Sequence, residues 1–205
     1  MILPQVQTIR DVLDNNALNL VVKETGLEAA LKSLAKPPKL VVTDSQAFGK
    51  VSKIVPESIP LTSFSILFAR YKGKLCELVR GAAALDRLKD GDKVLISEGC
   101  THHRQCGDIG TEKLPRWVKQ YTGRDIRFAF TSGGEFPEDL SPYALVIHCG
   151  ACMLNEREMQ SRLRRAAEQN VPITNYGIAI AQIHGILDRA LRPFSALHAE
   201  WKKQQ

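Results

Sequence analysis

Apolar positions along the chain fall into short runs parted by polar, glycine- and proline-rich text, and the period of each run predicts its element. ALNLVV (17–22) reads as a strand. Thr25, with Glu28 three residues later, has the form of a capping box and predicts that the helix LEAALKSL opens there. Pro37-Pro38 ends it, KLVVTD (39–44) is a second strand, and a short helix around 47–55 completes a compact α/β unit. Two strands and two helices make a thin core, so this unit is expected to draw burial from a partner chain or a neighbouring domain. VPESIPLTS (55–63), with two prolines among polar residues, reads as a linker.

Leu67, Tyr71, Leu75, Leu78, Ala82 and Leu85 then recur at four/three spacing, which predicts one apolar helical stripe over 63–88, stopped at Gly91. Beyond it the text alternates. Strands are expected at 93–97, 126–132, 143–148 and 171–176. Helices are expected at 114–121, from about Met153, and over the apolar IAIAQIHGILDRAL (178–191). Such alternation implies βαβ units and a parallel sheet covered on both faces. The expected fold class is therefore α/β: a small α/β domain over 1–58, followed by a parallel-sheet, Rossmann-like domain over 59–205.

Composition narrows the function without choosing it. The 205 residues are 44% hydrophobic and 24% charged, ordinary for a globular chain. The net charge of +6 is spread without a basic run, and aromatic residues make up 6%, so a nucleic-acid platform is not expected. The charge reads as a solvated basic surface; the more specific reading is attraction to an acidic protein or an anionic cofactor. The start, MILPQVQTIRD, has no secretory leader, and no apolar run approaches a membrane span, so a cytoplasmic protein without membrane contact is expected. Five cysteines in a reducing compartment point to metal or redox chemistry rather than to disulfides.

Four of those cysteines stand near histidines. GCTHH (99–103) and IHCGAC (147–152) together read Cys-x-His, forty-five residues, then His-Cys-x-x-Cys, and each piece directly follows an expected strand. Parallel strands bring their carboxyl ends to one edge, where open α/β sheets hold ligands, so the two pieces are expected to converge. Cys149 and Cys152 can face one metal centre, with Gly150 allowing the turn between them. A helix from about Met153 points the positive end of its dipole at the same place, which favours thiolates. Cys100 supplies a third thiolate. Three thiolates are one short of the Cys₄ set that ordinarily holds a 4Fe-4S cluster. His102 and His148 are the nearest candidates for the fourth place, with Glu98 or water also open. An open fourth iron is where another molecule can attach. The alternative is a closed Cys₃His zinc site in a structural interaction module. Cys106 reads as an unligated thiol, Cys76 as a packing residue, His103 as an exposed loop residue, His184 as a core or surface residue and His198 as solvated.

With DIG (108–110) and KLPRW (113–117) beside CTHH and IHCGAC, the chain resembles the cluster-binding part of the FeFe-hydrogenase maturation factor HydF family. KLVVTDSQAFGKV and PLTSFSILFARYKG resemble its dimerisation region, so the likeness covers essentially the whole chain. It implies a scaffold in which Cys100, Cys149 and Cys152 hold a 4Fe-4S cluster, with His102 and His148 as the motif histidines beside it. It further implies that the scaffold receives a di-iron precursor and passes it to the FeFe-hydrogenase apoprotein. Radical-SAM maturases and a second copy, bound through the N-terminal domain, are the other implied partners. The family's GTPase domain requires G-x-x-x-x-G-K-[ST], and no such segment is present here. A shortened form, or a natural form lacking that domain, is therefore expected, and it should not act as an enzyme; the full-length protein would be a GTPase.

Overall fold

The computed structural model describes residues 3–72, 74–99, 108–151 and 154–203. It begins with a helix not among the expected elements, α1 (Leu3–Asp14), which buries no residue fully. The expected strand at 17–22 forms no regular element. Helix α2 (Leu27–Ser33) follows, but without the capping box: Thr25 lies inside the preceding turn Glu24–Gly26, and Gly26 takes the cap position. Strand β1 (Val41–Thr43) and helix α3 (Phe48–Ile54) stand where the pattern puts them.

The linker expected at 55–63 is instead structural. Its last three residues form β2 (Leu61–Ser63), fully buried and paired in parallel with β1 from Val41↔Leu61 to Thr43↔Ser63. Proline lacks a donor but keeps its acceptor. The Pro60 carbonyl accordingly accepts the Val41 amide at 2.9 Å, so the prolines start the pairing rather than preclude it. Residue 58 precedes β2, so β1 and β2 pair across it.

The stripe over 63–88 divides into α4 (Phe64–Tyr71), α5 (Leu75–Ala82) and a tight turn Ala83–Arg87. Ser63 caps α4 by accepting the Ile66 amide. The break between the helices turns Tyr71 outward, 84% exposed, while Leu75, Leu78, Ala82 and Leu85 are buried.

The second unit runs β3 (Lys93–Glu98), α6 (Leu114–Thr122), β4 (Arg127–Ser132), β5 (Leu145–His148), α7 (Glu156–Glu168), β6 (Ile173–Asn175) and α8 (Tyr176–Ile183), with strands and helices alternating except that no helix separates β4 from β5. Two short helices close the chain, α9 (Leu187–Leu191) and α10 (Ser195–Lys202). Gly185, at φ +68°, divides α8 from α9 within the expected single apolar helix. The four strands form one parallel sheet in the order β4-β3-β5-β6. Alternate side chains go to opposite layers. Val94, Ile96, Leu145 and Ile147 pack with Leu114 and Val118 of α6 and Ile180 of α8; Leu95 and Val146 pack with Leu78 of α5 and Leu163 of α7. The fold class is thus α/β, a small α/β unit followed by a parallel-sheet domain.

The layer under α5 and α7 runs on into the first unit, where Phe48, Val51 and Leu61 belong to the same core. The first unit's thin core is filled by its neighbour, as its small element count requires. Arg189 of α9 is buried and crosses between the units, donating to the carbonyls of Ser52, Val55 and Pro56 at 2.7–2.9 Å. Among the described residues no helix is long and apolar enough to cross a membrane.

Candidate metal centre

The sheet order creates a switch point. From β3 the chain crosses outward to β4, and from β5 it crosses the opposite way to β6. Between the carboxyl ends of β3 and β5 the connections diverge and leave a crevice, the usual ligand position of open α/β sheets. Cys149 sits there. Its amide donates to the Ser97 carbonyl at 2.8 Å, one residue beyond β5. Its sulfur accepts the backbone amides of Gly99 at 3.0 Å and Ala151 at 3.4 Å. Gly99 immediately precedes Cys100 in sequence, so the chain reaches position 100 from a residue already touching the Cys149 sulfur.

Residues 98 and 110 meet at Tyr176 on the same sheet edge. Tyr176, at the start of α8, is hydrogen-bonded through its hydroxyl to Glu98 Oε1 at 3.3 Å. Gly110 packs so closely on the pair that a Cβ there would lie 2.4 Å from the hydroxyl and 2.5 Å from the carboxylate. Asp108 starts the following turn by accepting the Thr111 amide at 2.8 Å. Burial, and then the charges of Glu98 and Cys149, push the Tyr176 phenol well above its usual range. Cys100, His102 and Cys152, together with His103 and Cys106, lie outside the described residues. Among the described residues no three Cys, His, Asp or Glu side chains gather as a metal-ligating group.

The turn after Cys149 differs from the expected one. Gly150 is exposed, with no described atom near where a Cβ would stand, and its φ is not positive. Ala151 carries the left-handed conformation instead, at φ +52°. That backbone brings the Ala151 amide round to the Cys149 sulfur. Helix α7 also starts later than expected, at Glu156, where Asn155 caps it by accepting the Glu158 amide at 2.8 Å. Glu156 and Glu158 already complement the dipole in its first turn, which lessens what it lends the thiolates.

His148 points away from the crevice into the α7 layer and is fully buried. Its Nδ1–H donates to the Cys149 carbonyl at 2.8 Å, and its Nε2 accepts from Nη1 of Arg162 at 3.0 Å. Burial, opposed by that carbonyl bond and reinforced by Arg162, lowers its pKa to about 4, so the ring is neutral at neutral pH. Arg162 is itself 1% exposed. It also reaches Ser97 Oγ at 3.4 Å, the Gly133 carbonyl at 2.9 Å and Glu158 at 2.9 Å, and its guanidinium lies over Phe136. On the other side of the loop, Lys72 Nζ donates to the Ala151 carbonyl at 2.5 Å.

Arg162, Lys72 and Tyr176 belong to this site, and residue-level pattern reading does not mark them. RLRRAAE (162–168) has the composition of a solvated helix face, and only the Glu158–Arg162 spacing of four hints at a fixed guanidinium. Three other residues depart from or refine their sequence-based assignments. His198 is not solvated: its Nε2 meets Asp188 Oδ1 at 2.8 Å, holding that carboxyl below its usual range and fastening α10 to α9. Cys76 packs against α10, where its sulfur lies 3.6 Å from Glu200 and burial raises the thiol's pKa. His184 is exposed, its ring edge-on to Trp117.

The donor chemistry around Cys149 suits a thiolate ligand. Two backbone amides aim at the sulfur, and two cations, Arg162 and Lys72, brace the loop. Two family models match the chain. The hydrogen maturase F dimerization domain matches residues 1–73, and the hydrogen maturase F tetramerization domain matches residues 76–193. Their junction falls at the break between α4 and α5. No curated protein matches the chain.

Proposed function

Since this chain belongs to the hydrogen maturase F family, and so to hydrogenase maturation, we propose that it serves there as a non-catalytic iron–sulfur scaffold. In this reading Cys100, Cys149 and Cys152 hold a 4Fe-4S cluster at the switch point. The position that no cysteine fills is where a di-iron unit docks before transfer to the FeFe-hydrogenase apoprotein. The cluster, when bound, supplies the iron to which that cargo attaches. The chain's own residues do the rest. Gly99 and Ala151 present amides to the Cys149 sulfur, and the Lys72 ammonium and the Arg162–His148 pair hold the loop carbonyls. Both ring nitrogens of His148 are engaged, so in this reading the fourth position goes to His102, to Glu98 or to water rather than to His148.

The observation that carries this reading is the contact between the Cys149 sulfur and the amide of the residue preceding Cys100. It ties two sequence-distant motif pieces to one crevice. Copies of the chain are read as associating through the N-terminal unit, which leaves much apolar surface uncovered. Radical-SAM maturases would supply the cargo. Anaerobic reconstitution with iron and sulfide is expected to load about four iron atoms per chain and give an EPR signal on reduction. Cys149→Ser should lose both. A stoichiometric zinc ion in anaerobically purified protein, with no uptake of iron, would establish the structural zinc module instead.

A further inference from the structure

His148 adjoins Cys149 in sequence, yet neither nitrogen of its ring faces the crevice. The side chain shares a layer with Val146, under α7. To reach a metal through Nε2 it would have to release the Arg162 guanidinium. That guanidinium is 1% exposed, and the carboxylate paired with it, Glu158, is 41% exposed. Removing a hydrogen-bond partner from a buried charge leaves a donor unmet and is costly. A single metal–imidazole bond made at that cost, while also surrendering the Nδ1–H bond to the Cys149 carbonyl, is a poor exchange.

Arg162 is placed to act on the site through that ring. It touches Ser97 at the end of β3, Gly133 just beyond β4 and His148 at the end of β5, so one side chain joins three strand ends beneath the crevice. Only one imidazole separates it from the Cys149 backbone. Its charge is only partly offset, since Glu158 is its sole carboxylate contact among the described residues and is half open to water. A cation held in a low-dielectric layer projects its field much farther than one in water. A cluster bound by three thiolates carries net negative charge, which grows by one on reduction, and local charge and hydrogen bonding are the protein's means of setting its potential.

We propose that His148 and Arg162 form a positioning pair beneath Cys149, in which the imidazole fixes the Cys149 carbonyl and the guanidinium supplies buried positive charge that favours the reduced cluster. This rests on cluster binding at Cys149 as proposed above. His148 is then a residue that orients a ligand, and Arg162 sets the ring's tautomer and the local field.

The test uses the whole chain, reconstituted anaerobically and titrated with dithionite under EPR, with ¹⁴N couplings measured on the reduced protein. His148→Asn keeps a donor where Nδ1 stood and is expected to leave the ¹⁴N couplings unchanged. Arg162→Gln is expected to shift the midpoint potential to more negative values at unchanged iron content, with Arg162→Lys restoring most of it. Glu158→Gln, which keeps an acceptor for Arg162 but removes the negative charge, is expected to shift it the opposite way. A merely structural role would not give shifts of opposite sign. Loss of a strong ¹⁴N coupling in His148→Asn makes the histidine a ligand and overturns the pair. A midpoint unmoved by Glu158→Gln overturns the field, even if Arg162→Gln fails to fold. Wild-type protein that takes up no cluster defeats the scaffold reading itself, whereas a normal wild-type cluster with unmoved variants defeats only this inference.

Discussion

Ala151 takes a left-handed backbone, φ +52°, that an L side chain enters at a cost of about 1–2 kcal/mol. The turn uses that backbone to aim the Ala151 amide at the Cys149 sulfur. Glycine there would relieve the strain, but it would forfeit a buried methyl worth about 0.8 kcal/mol and cost about 0.5–1 kcal/mol of unfolded-chain entropy. Ala151→Gly is therefore expected to lie within about 1 kcal/mol of wild type. A β-branched side chain has no such balance: Ala151→Val should cost about 2–4 kcal/mol in urea unfolding and weaken iron retention. Equal stability of the two variants would show that the turn has rearranged. At this scale type and spacing single out Cys149 and His148, and the structure sets both at the carboxyl end of β5. That the imidazole turns inward is set by its place in β5 on the α7 layer. A buried arginine such as Arg162 looks, in sequence, like any exposed helical charge.

Elements read best where burial on both faces writes a continuous apolar run, as in VLI (94–96) and LVI (145–147), and these gave the parallel sheet and its carboxyl edge. They read worst where burial depends on a distant neighbour. Leu61–Ser63 looks like a linker until β1 pairs with it, and α1 rests only half-buried against α4. The join of α5 to β6 shows the same dependence. Their backbones approach so closely that a Cβ on Gly81 would lie 1.9 Å from the Ile173 carbonyl oxygen. Backbone cannot swing aside as a side chain does, so Gly81→Ala must part the helix from the strand. The expected cost is at least about 2 kcal/mol, at the upper end of overpacking, and it should appear as a lower urea midpoint with an unchanged slope. Stability equal to wild type would mean that α5 shifts along the sheet without loss. Nothing in LVRGAA (78–83) reveals this requirement, because the partner atom belongs to Ile173, in a strand far along the chain.

Across the molecule, the two units share one core and are stitched by Arg189 and by Thr62, whose hydroxyl donates to the Ala190 carbonyl at 3.0 Å. The apolar surface left over is concentrated at the amino end. Leu18 is 99% exposed and Val21 62%, with Leu20, Val22 and the α1 residues Leu3, Val6 and Leu13 also uncovered. The amides of residues 18–22 donate to no backbone carbonyl among the described residues. An apolar, uncovered segment whose amides meet no described backbone carbonyl is suited to completing a sheet or groove in another copy of the chain. Such pairing would give the strand-like text at 17–22 the strand partner it lacks among the described residues. Burying a leucine side chain contributes about 1.5–3 kcal/mol, and a glutamate in its place adds a desolvation cost. Leu18→Glu is therefore expected to raise the dimer dissociation constant by at least about tenfold, read by sedimentation across a concentration series. Leu18 touches little within its own chain, so the melting temperature of the dilute monomer should not move. If the dissociation constant stays at the wild-type value while Tyr71→Glu raises it, association runs through α4 instead. Strand-like text would then be no guide to how these copies meet.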